Sequence, residues 1–337
     1  MTRPPESRRR RIVVWLAFTS VSVVAIASTT ALLGSGPEVG HWRSAAAQET
    51  YTQAHAELIA QLPAQPELLD IPVTHGTVRV LHWPGGDDGA EQEPVLLLPG
   101  RSSGSAQWVE NLPGWIGTRP IYAPDPLGDA GFSAQRLPFT GIGDQADAWA
   151  EVMAGLGIDA AHVVGHSFGA AQAANLAVRH PERIRSLALF EPVMVLDSPP
   201  ASVYFWATVA SLPLPAAWRE EALARIGGTT ADEVRGAGPM GALIDAAARG
   251  YAAALPTPGV LPEEQWRVLT TPVRVDLGGR QSLSGSGAAE RAREVLPQAT
   301  VTVWPEGTHS LPMDQRPDFD LILPRFWEES RSAATGD

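Results

Sequence analysis

From Pro94 onward, short continuously apolar runs alternate with stretches whose apolar positions recur at helical spacing. Residues 95–98, 121–123, 163–164, 186–190, 272–277 and 300–303 read as strands, and 142–156, 168–179, 288–296 and 319–329 read as helices. In the helix over 142–156, Ala146, Trp149, Ala150 and Met153 share one face. Strands without polar alternation, joined by helical crossovers, imply a mostly parallel sheet with helices on both faces. Ligands on such a sheet bind at the carboxyl ends of its strands.

Two regions break the alternation. Residues 73–83 alternate as a half-buried strand before the exposed turn at 84–89, whereas 44–61 could form one helix between Pro37 and Pro63. Residues 36–70 therefore read as a linker with a short helix, and 331–337 as a tail. From 195 to 266 prolines separate short helical segments carrying Tyr204, Phe205, Trp206, Trp218 and Tyr251. These aromatics would form a small core of their own, wall an apolar substrate pocket beneath a lid, or both.

The amino-terminal residues change the picture of location. Arg8 to Arg11 precede a stretch, residues 12–33, without a charge. At about 1.5 Å per residue, a helix of that length reaches about 33 Å, enough to cross a bilayer with the Arg cluster on the cytoplasmic side. A cleaved signal peptide is the competing reading of residues 1–35, with small-residue cleavage sites at 25–27 or 45–47. Either way the remainder is expected outside the cytoplasm, membrane-anchored or secreted.

Net charge is -12 with 37 acidic and 25 basic residues, all of the latter Arg. This balance argues against a nucleic-acid partner. With no Cys in the chain, a thiol nucleophile, disulfides and thiolate metal sites are excluded. No His pair has metal-ligand spacing on one helix, so neither a metal nor a cofactor is expected. Oligomeric state has no sequence signal.

The chemistry centres on Gly165-His166-Ser167-Phe168-Gly169, which joins an apolar run to a helix rich in small residues. A nucleophile on such a strand–turn–helix elbow sits in a strained backbone conformation, and close approach favours glycine two residues either side. A second G-x-S-x-G match, Gly100 to Gly104, leads into Pro113 and Gly114 rather than a helix and lacks that context. His162, His166 and His180 read as structural.

Four motifs in order carry a family resemblance: Leu96-Leu97-Leu98-Pro99-Gly100, then Asp125 to Ser133 (DPLGDAGFS, a longer form of D-x-x-G-x-G-x-S), the elbow, and Gly307-Thr308-His309. Over roughly residues 71–329 the chain resembles the α/β-hydrolases with a helical cap. That resemblance implies an α/β-hydrolase core from 71–194 and 267–330, with 195–266 as the cap. It implies Ser167 as nucleophile, His309 as its base, and the backbone N–H groups of Arg101 and Phe168 as the oxyanion hole. Ser102 and Trp206 are candidate substrate contacts, although a Ser in a Gly-rich turn such as Ser102 more often serves turn chemistry.

One position departs from the pattern. Where relatives carry the triad Asp, three residues after Gly278, this chain has Gln281, and an amide cannot stabilise an imidazolium. Glu191, at the end of the strand after the elbow helix, is the replacement expected, with Asp276, Asp197 and Asp314 behind it. Asp276 shares a strand face with Arg274, which suggests an ion pair instead. Glu191 could also merely fill a polar strand end. The expected function is an exported or membrane-anchored serine hydrolase cleaving a carboxylic ester of moderate size and apolar character through an acyl-enzyme. The alternatives are a weak or inactive hydrolase-fold binding protein and a cell-envelope lipase.

Overall fold

A computed structural model describes residues 37–335 apart from 88, 90, 213, 229 and 233–237. Arg8 to Arg11 and the apolar stretch 12–33 lie outside the described residues. In chain order the elements are β1 (His41–Trp42), α1 (Ala45–Ile59), β2 (Glu67–Val73), β3 (Gly76–Trp83), β4 (Val95–Leu98), β5 (Ile121–Pro124) and β6 (Ala134–Gln135). Then come α2 (Ile142–Gly155), β7 (Ala161–His166), α3 (Phe168–Arg179), β8 (Ile184–Phe190), α4 (Ala201–Ser211), α5 (Ala216–Gly227), α6 (Gly238–Gly250) and β9 (Tyr251–Ala252). The chain closes with α7 (Glu263–Trp266), β10 (Val273–Gly278), α8 (Ala288–Val295), β11 (Thr300–Trp304), α9 (Leu311–Asp314) and α10 (Arg316–Thr335).

The main sheet runs β11-β10-β8-β7-β4-β5-β3-β2, with β6 paired to β3. Strands β4, β5, β7, β8, β10 and β11 are mutually parallel, while β2, β3 and β6 join antiparallel. Every residue of β4, β7 and β10 is buried, as strands covered on both faces must be. Alternate side chains serve opposite cores. Leu96, Leu98 and Val163 pack with Trp149, Met153 and Leu176 of α2 and α3, and Val95, Leu97 and Val164 pack with Phe319 and Trp327 of α10.

The structure corrects the sequence reading at two places. Residues 67–70, expected in the linker, begin strand β2, paired along its length with β3. Pro72 obscured it, but β2 is the edge strand, where a residue without an N–H is tolerated. In the helical excursion between β8 and β10, Tyr204, Phe205 and Trp218 are exposed and do not form a core. Helix α4 carries no charged residue and is apolar all round, so packing one side leaves aromatics on the other. Leu243, Ala246, Ala247 and Tyr251 are buried instead, where α6 meets α1.

Helix α1 starts at Ser44, whose hydroxyl accepts the N–H of Ala47. It buries Tyr51, Ala54, Leu58 and Ile59. Beside it His41–Trp42 pairs antiparallel with Tyr251–Ala252, and the Arg43 N–H donates to the Gly250 carbonyl at 2.7 Å. An added Cβ on Gly250 would run into the side chain of Ala47, so glycine permits this close approach.

Candidate active site

Strand β7 ends at His166 and helix α3 begins at Phe168, so Ser167 occupies a one-residue turn, with φ 55° and ψ -117°. The left-handed backbone strains a non-glycine residue. Its N–H is held by the Phe190 carbonyl of the neighbouring strand at 2.9 Å. The flanking glycines answer a steric need. A Cβ on Gly165 would lie 2.5 Å from the Gly169 carbonyl oxygen, and one on Gly169 would strike the carbonyls of Leu98 and Pro99.

His309 stands in the loop between β11 and α9, at the carboxyl ends of the parallel strands. Its Nε2 is 2.8 Å from the Ser167 Oγ, and its Nδ1 is 3.1 Å from the Glu191 Oε2. Glu191 is wholly buried and follows β8 with a left-handed φ of 50°. Its Oε1 accepts the Gly278 N–H at 2.7 Å and its Oε2 the Leu283 N–H at 2.8 Å. These two bonds compensate the burial of a carboxylate and aim the remaining lone pairs of Oε2 at the imidazole.

The other acids are engaged elsewhere. Asp276 makes a two-bond ion pair with Arg274, at 2.7 and 2.9 Å, and accepts the Trp304 indole N–H. Asp197 accepts the N–H groups of Ser198 and Gly287. Asp314 accepts from the N–H and hydroxyl of Thr308, bracing the residue before His309. Gln281 is turned away from the imidazole, its Nε2 donating to the Arg225 carbonyl of α5 at 3.3 Å.

His166, read from sequence only as structural, also ties the site together. Its Nε2–H donates to the His309 carbonyl at 2.7 Å, which joins the elbow to the loop bearing the base. Burial, and then the nearby His309, lower its pKa to about 3, so the ring stays neutral. The sequence signal was adjacency to Ser167 alone.

Arg101 and Phe168 follow Gly100 and Ser167 in the chain. Among the described residues, no hydrogen bond within the protein occupies the N–H of either. Ser102 is half-buried beside them with φ 67°, and the Ser103 hydroxyl is spent on the Gly100 carbonyl and Gln107. Trp206 lies on α4, edge-on to Phe205 at 5.0 Å and beneath the Arg225 guanidinium at 5.7 Å. A serine hydroxyl, an imidazole and a buried carboxylate in line can transfer a proton from the first to the second while the third balances the resulting charge.

The chain belongs to the Alpha/beta hydrolase family, which it matches over residues 95–319. Carboxylesterase YbfK of Bacillus subtilis is 26% identical over 158 residues, 47% of this chain and 52% of the relative. The uncharacterized carboxylesterase nap of the same organism is 29% identical over 142 residues, 42% of this chain and 46% of the relative. The chain thus spans about half the length of these curated relatives. Among solved structures, carboxylesterase CesB (YbfK) of Bacillus subtilis superposes with a TM-score of 0.73 at 21% identity, covering 83% of this chain and 98% of that one. A membrane phospholipase A, described as a bacterial virulence factor, superposes at TM-score 0.58 and 18% identity over 96% of this chain and 99% of its own. At these identities the structural likeness is one of fold.

Proposed function

We propose that this protein is a serine hydrolase that cleaves a carboxylic ester of apolar character through an acyl-enzyme. The observation that carries the proposal is the unbroken hydrogen-bonded line from the Ser167 Oγ through the His309 imidazole to the buried Glu191 carboxylate. Ser167 Oγ adds to the ester carbonyl carbon as its proton passes to His309 Nε2. The Arg101 and Phe168 N–H groups receive the developing oxyanion. The intermediate expels the alcohol, which takes the proton from His309, and water then repeats the sequence to release the acid. Glu191 keeps Nδ1 protonated and stabilises the imidazolium.

In this reading residues 195–266 form a cap beside the site. Two contacts support it: the Gln281 bond to the Arg225 carbonyl, and Gly228 at the end of α5, packed against Gln281 and Thr308, the residue before His309. Trp206 would wall the acyl pocket. The test is labelling with a fluorophosphonate probe, followed by a chain-length series of p-nitrophenyl esters. Label on Ser167 that disappears in Ser167→Ala is the expected result. An unlabelled wild type whose thermal stability still rises with an ester analogue would replace the reading with that of a binding protein.

The exposed aromatics Tyr204, Phe205 and Trp218, together with the uncharged segment 12–33, favour a second reading. Here the protein is anchored outside the cytoplasm and acts on lipid esters. Comparing the whole chain with one lacking residues 1–33, on soluble esters and on phospholipid vesicles, separates the two. A vesicle-specific loss on deletion favours the lipid reading, and an equal effect on both substrates removes it.

A further inference from the structure

The oxyanion loop is held by a carboxylate that lies outside the proposed triad. Three successive N–H groups, those of Gly100, Arg101 and Ser102, have different fates. The Gly100 N–H donates to the Gln107 side-chain oxygen at 2.6 Å and the Ser102 N–H to the Asp129 Oδ2 at 2.7 Å. Arg101, between them, is left to face a substrate. Both acceptors are 3% exposed, so no solvent competes for these bonds.

Ser102 adopts φ 67°, a conformation an L residue enters only when its surroundings impose it. Asp129 accepts its N–H from across the loop. It belongs to the DPLGDAGFS segment, where two residues, Asp129 and Ala130, separate Gly128 from Gly131; the family's pattern has one. The longer turn lets Asp129 bond the Ala130 N–H through Oδ1, at 2.8 Å, while Oδ2 reaches Ser102. Asp125, in the same segment, takes the Ser105 N–H at 2.7 Å and so fixes the loop's far end. The segment is itself braced, since the Gly128 carbonyl accepts the Ala254 N–H at 2.8 Å.

From this geometry we infer that Asp129 is a positioning residue for the oxyanion hole: by holding the Ser102 N–H it sets the peptide orientation that presents the Arg101 N–H to the tetrahedral intermediate. The inference rests on the proposed hydrolase reading. Charge that develops in the transition state depends on donor direction more strongly than ground-state binding of the neutral carbonyl does. Loss of the clamp therefore falls on kcat.

The test uses the full chain with Asp129→Ala and Asp129→Asn, each assayed for kcat, KM, secondary structure and thermal midpoint. Active sites are counted by fluorophosphonate labelling at completion. A further readout is affinity for a trifluoromethyl ketone, which forms an oxyanion on Ser167. Asp129→Ala is expected to lower kcat per labelled site about tenfold to hundredfold, below the cost of removing a donor outright. KM should change less than about threefold, and ketone affinity should fall in parallel with kcat/KM. Asp129→Asn retains one acceptor oxygen for two amides and should fall between wild type and Asp129→Ala. It also serves as the test if the alanine variant does not fold. Folded variants with unchanged kcat per labelled site and unchanged ketone affinity overturn the inference, as does a loss explained wholly by fewer labelled sites. Should Ser167→Ala retain wild-type hydrolysis, the hydrolase reading itself fails, whatever the Asp129 variants do.

Discussion

Two neighbouring strand ends, those of β8 and β10, sit at the same edge of the sheet and give their polar side chains different partners. At the end of β8, Glu191 is fully buried, strained at φ 50°, and bonded to His309. Past the end of β10, Gln281 is only partly buried and bonds the carbonyl of Arg225 in the helical excursion. The two positions remain coupled, because Glu191 also accepts the N–H groups of Gly278 and Leu283, which bracket Gln281. A carboxylate at one strand end can therefore organise the loop at the next. The position it frees becomes available to hold a different part of the chain.

The comparison can be broken from both sides. The largest effect is expected from Ser167→Ala, about a millionfold in kcat against p-nitrophenyl esters, since a triad acts as a unit. A residual rate close to wild type would remove the site altogether. Glu191→Gln should cost on the order of ten-thousandfold in kcat while leaving folded structure by circular dichroism intact. Adding Gln281→Asp to that variant should not restore activity, because the side chain at 281 points to a carbonyl oxygen rather than to the imidazole. Recovery to within tenfold of wild type would mean that the two strand ends are interchangeable. Gln281→Ala alone should change kcat/KM only a few fold, since it removes one partly exposed hydrogen bond worth about 1 kcal/mol.

His166 should show itself in acid stability rather than in rate. His166 is held neutral with a pKa near 3, below the ordinary 6.5, so the unfolded chain takes up its proton first as pH falls. Its contribution to stability is complete above about pH 6.5 and is lost as pH drops towards 3, at up to about 1.4 kcal/mol per pH unit. Urea midpoints across that window should fall with acid, and His166→Gln should flatten the slope. An unchanged slope would show that His166 is not held neutral.

What was legible in the sequence was whatever a local rule or an ordered motif could carry. Residues 95–98 and 142–156 announced strand and helix through burial and periodicity, and the elbow around Ser167 through its glycines. Gln281 was legible as a departure, and Glu191 as a strand-end acid, because strand order places such residues along one edge. Contacts between distant loops had no such signal. The Asp129 carboxylate finds the Ser102 amide 27 residues away, and only the extra residue between Gly128 and Gly131 hinted at it. Strand β2 was hidden by Pro72, whose tolerance depends on edge position, a property of the assembled sheet. The aromatics of α4 misled because hydrophobicity was taken to imply burial, which is a one-way rule.

The pairing of α1 with α6 bears on the order in which the protein can assemble as it is made. Helix α1 leaves the ribosome early, but its partner surface spans Gly238–Gly250, and β1 pairs with Tyr251–Ala252. Until that part of the chain has emerged, α1 can pack only on earlier segments, such as Phe132 against Tyr51, and its α6 side stays uncovered. A fifteen-residue helix without tertiary support is marginal in water. Full burial of α1 therefore waits for α6, and a chaperone that binds exposed apolar segments would have its longest opportunity on the uncovered side.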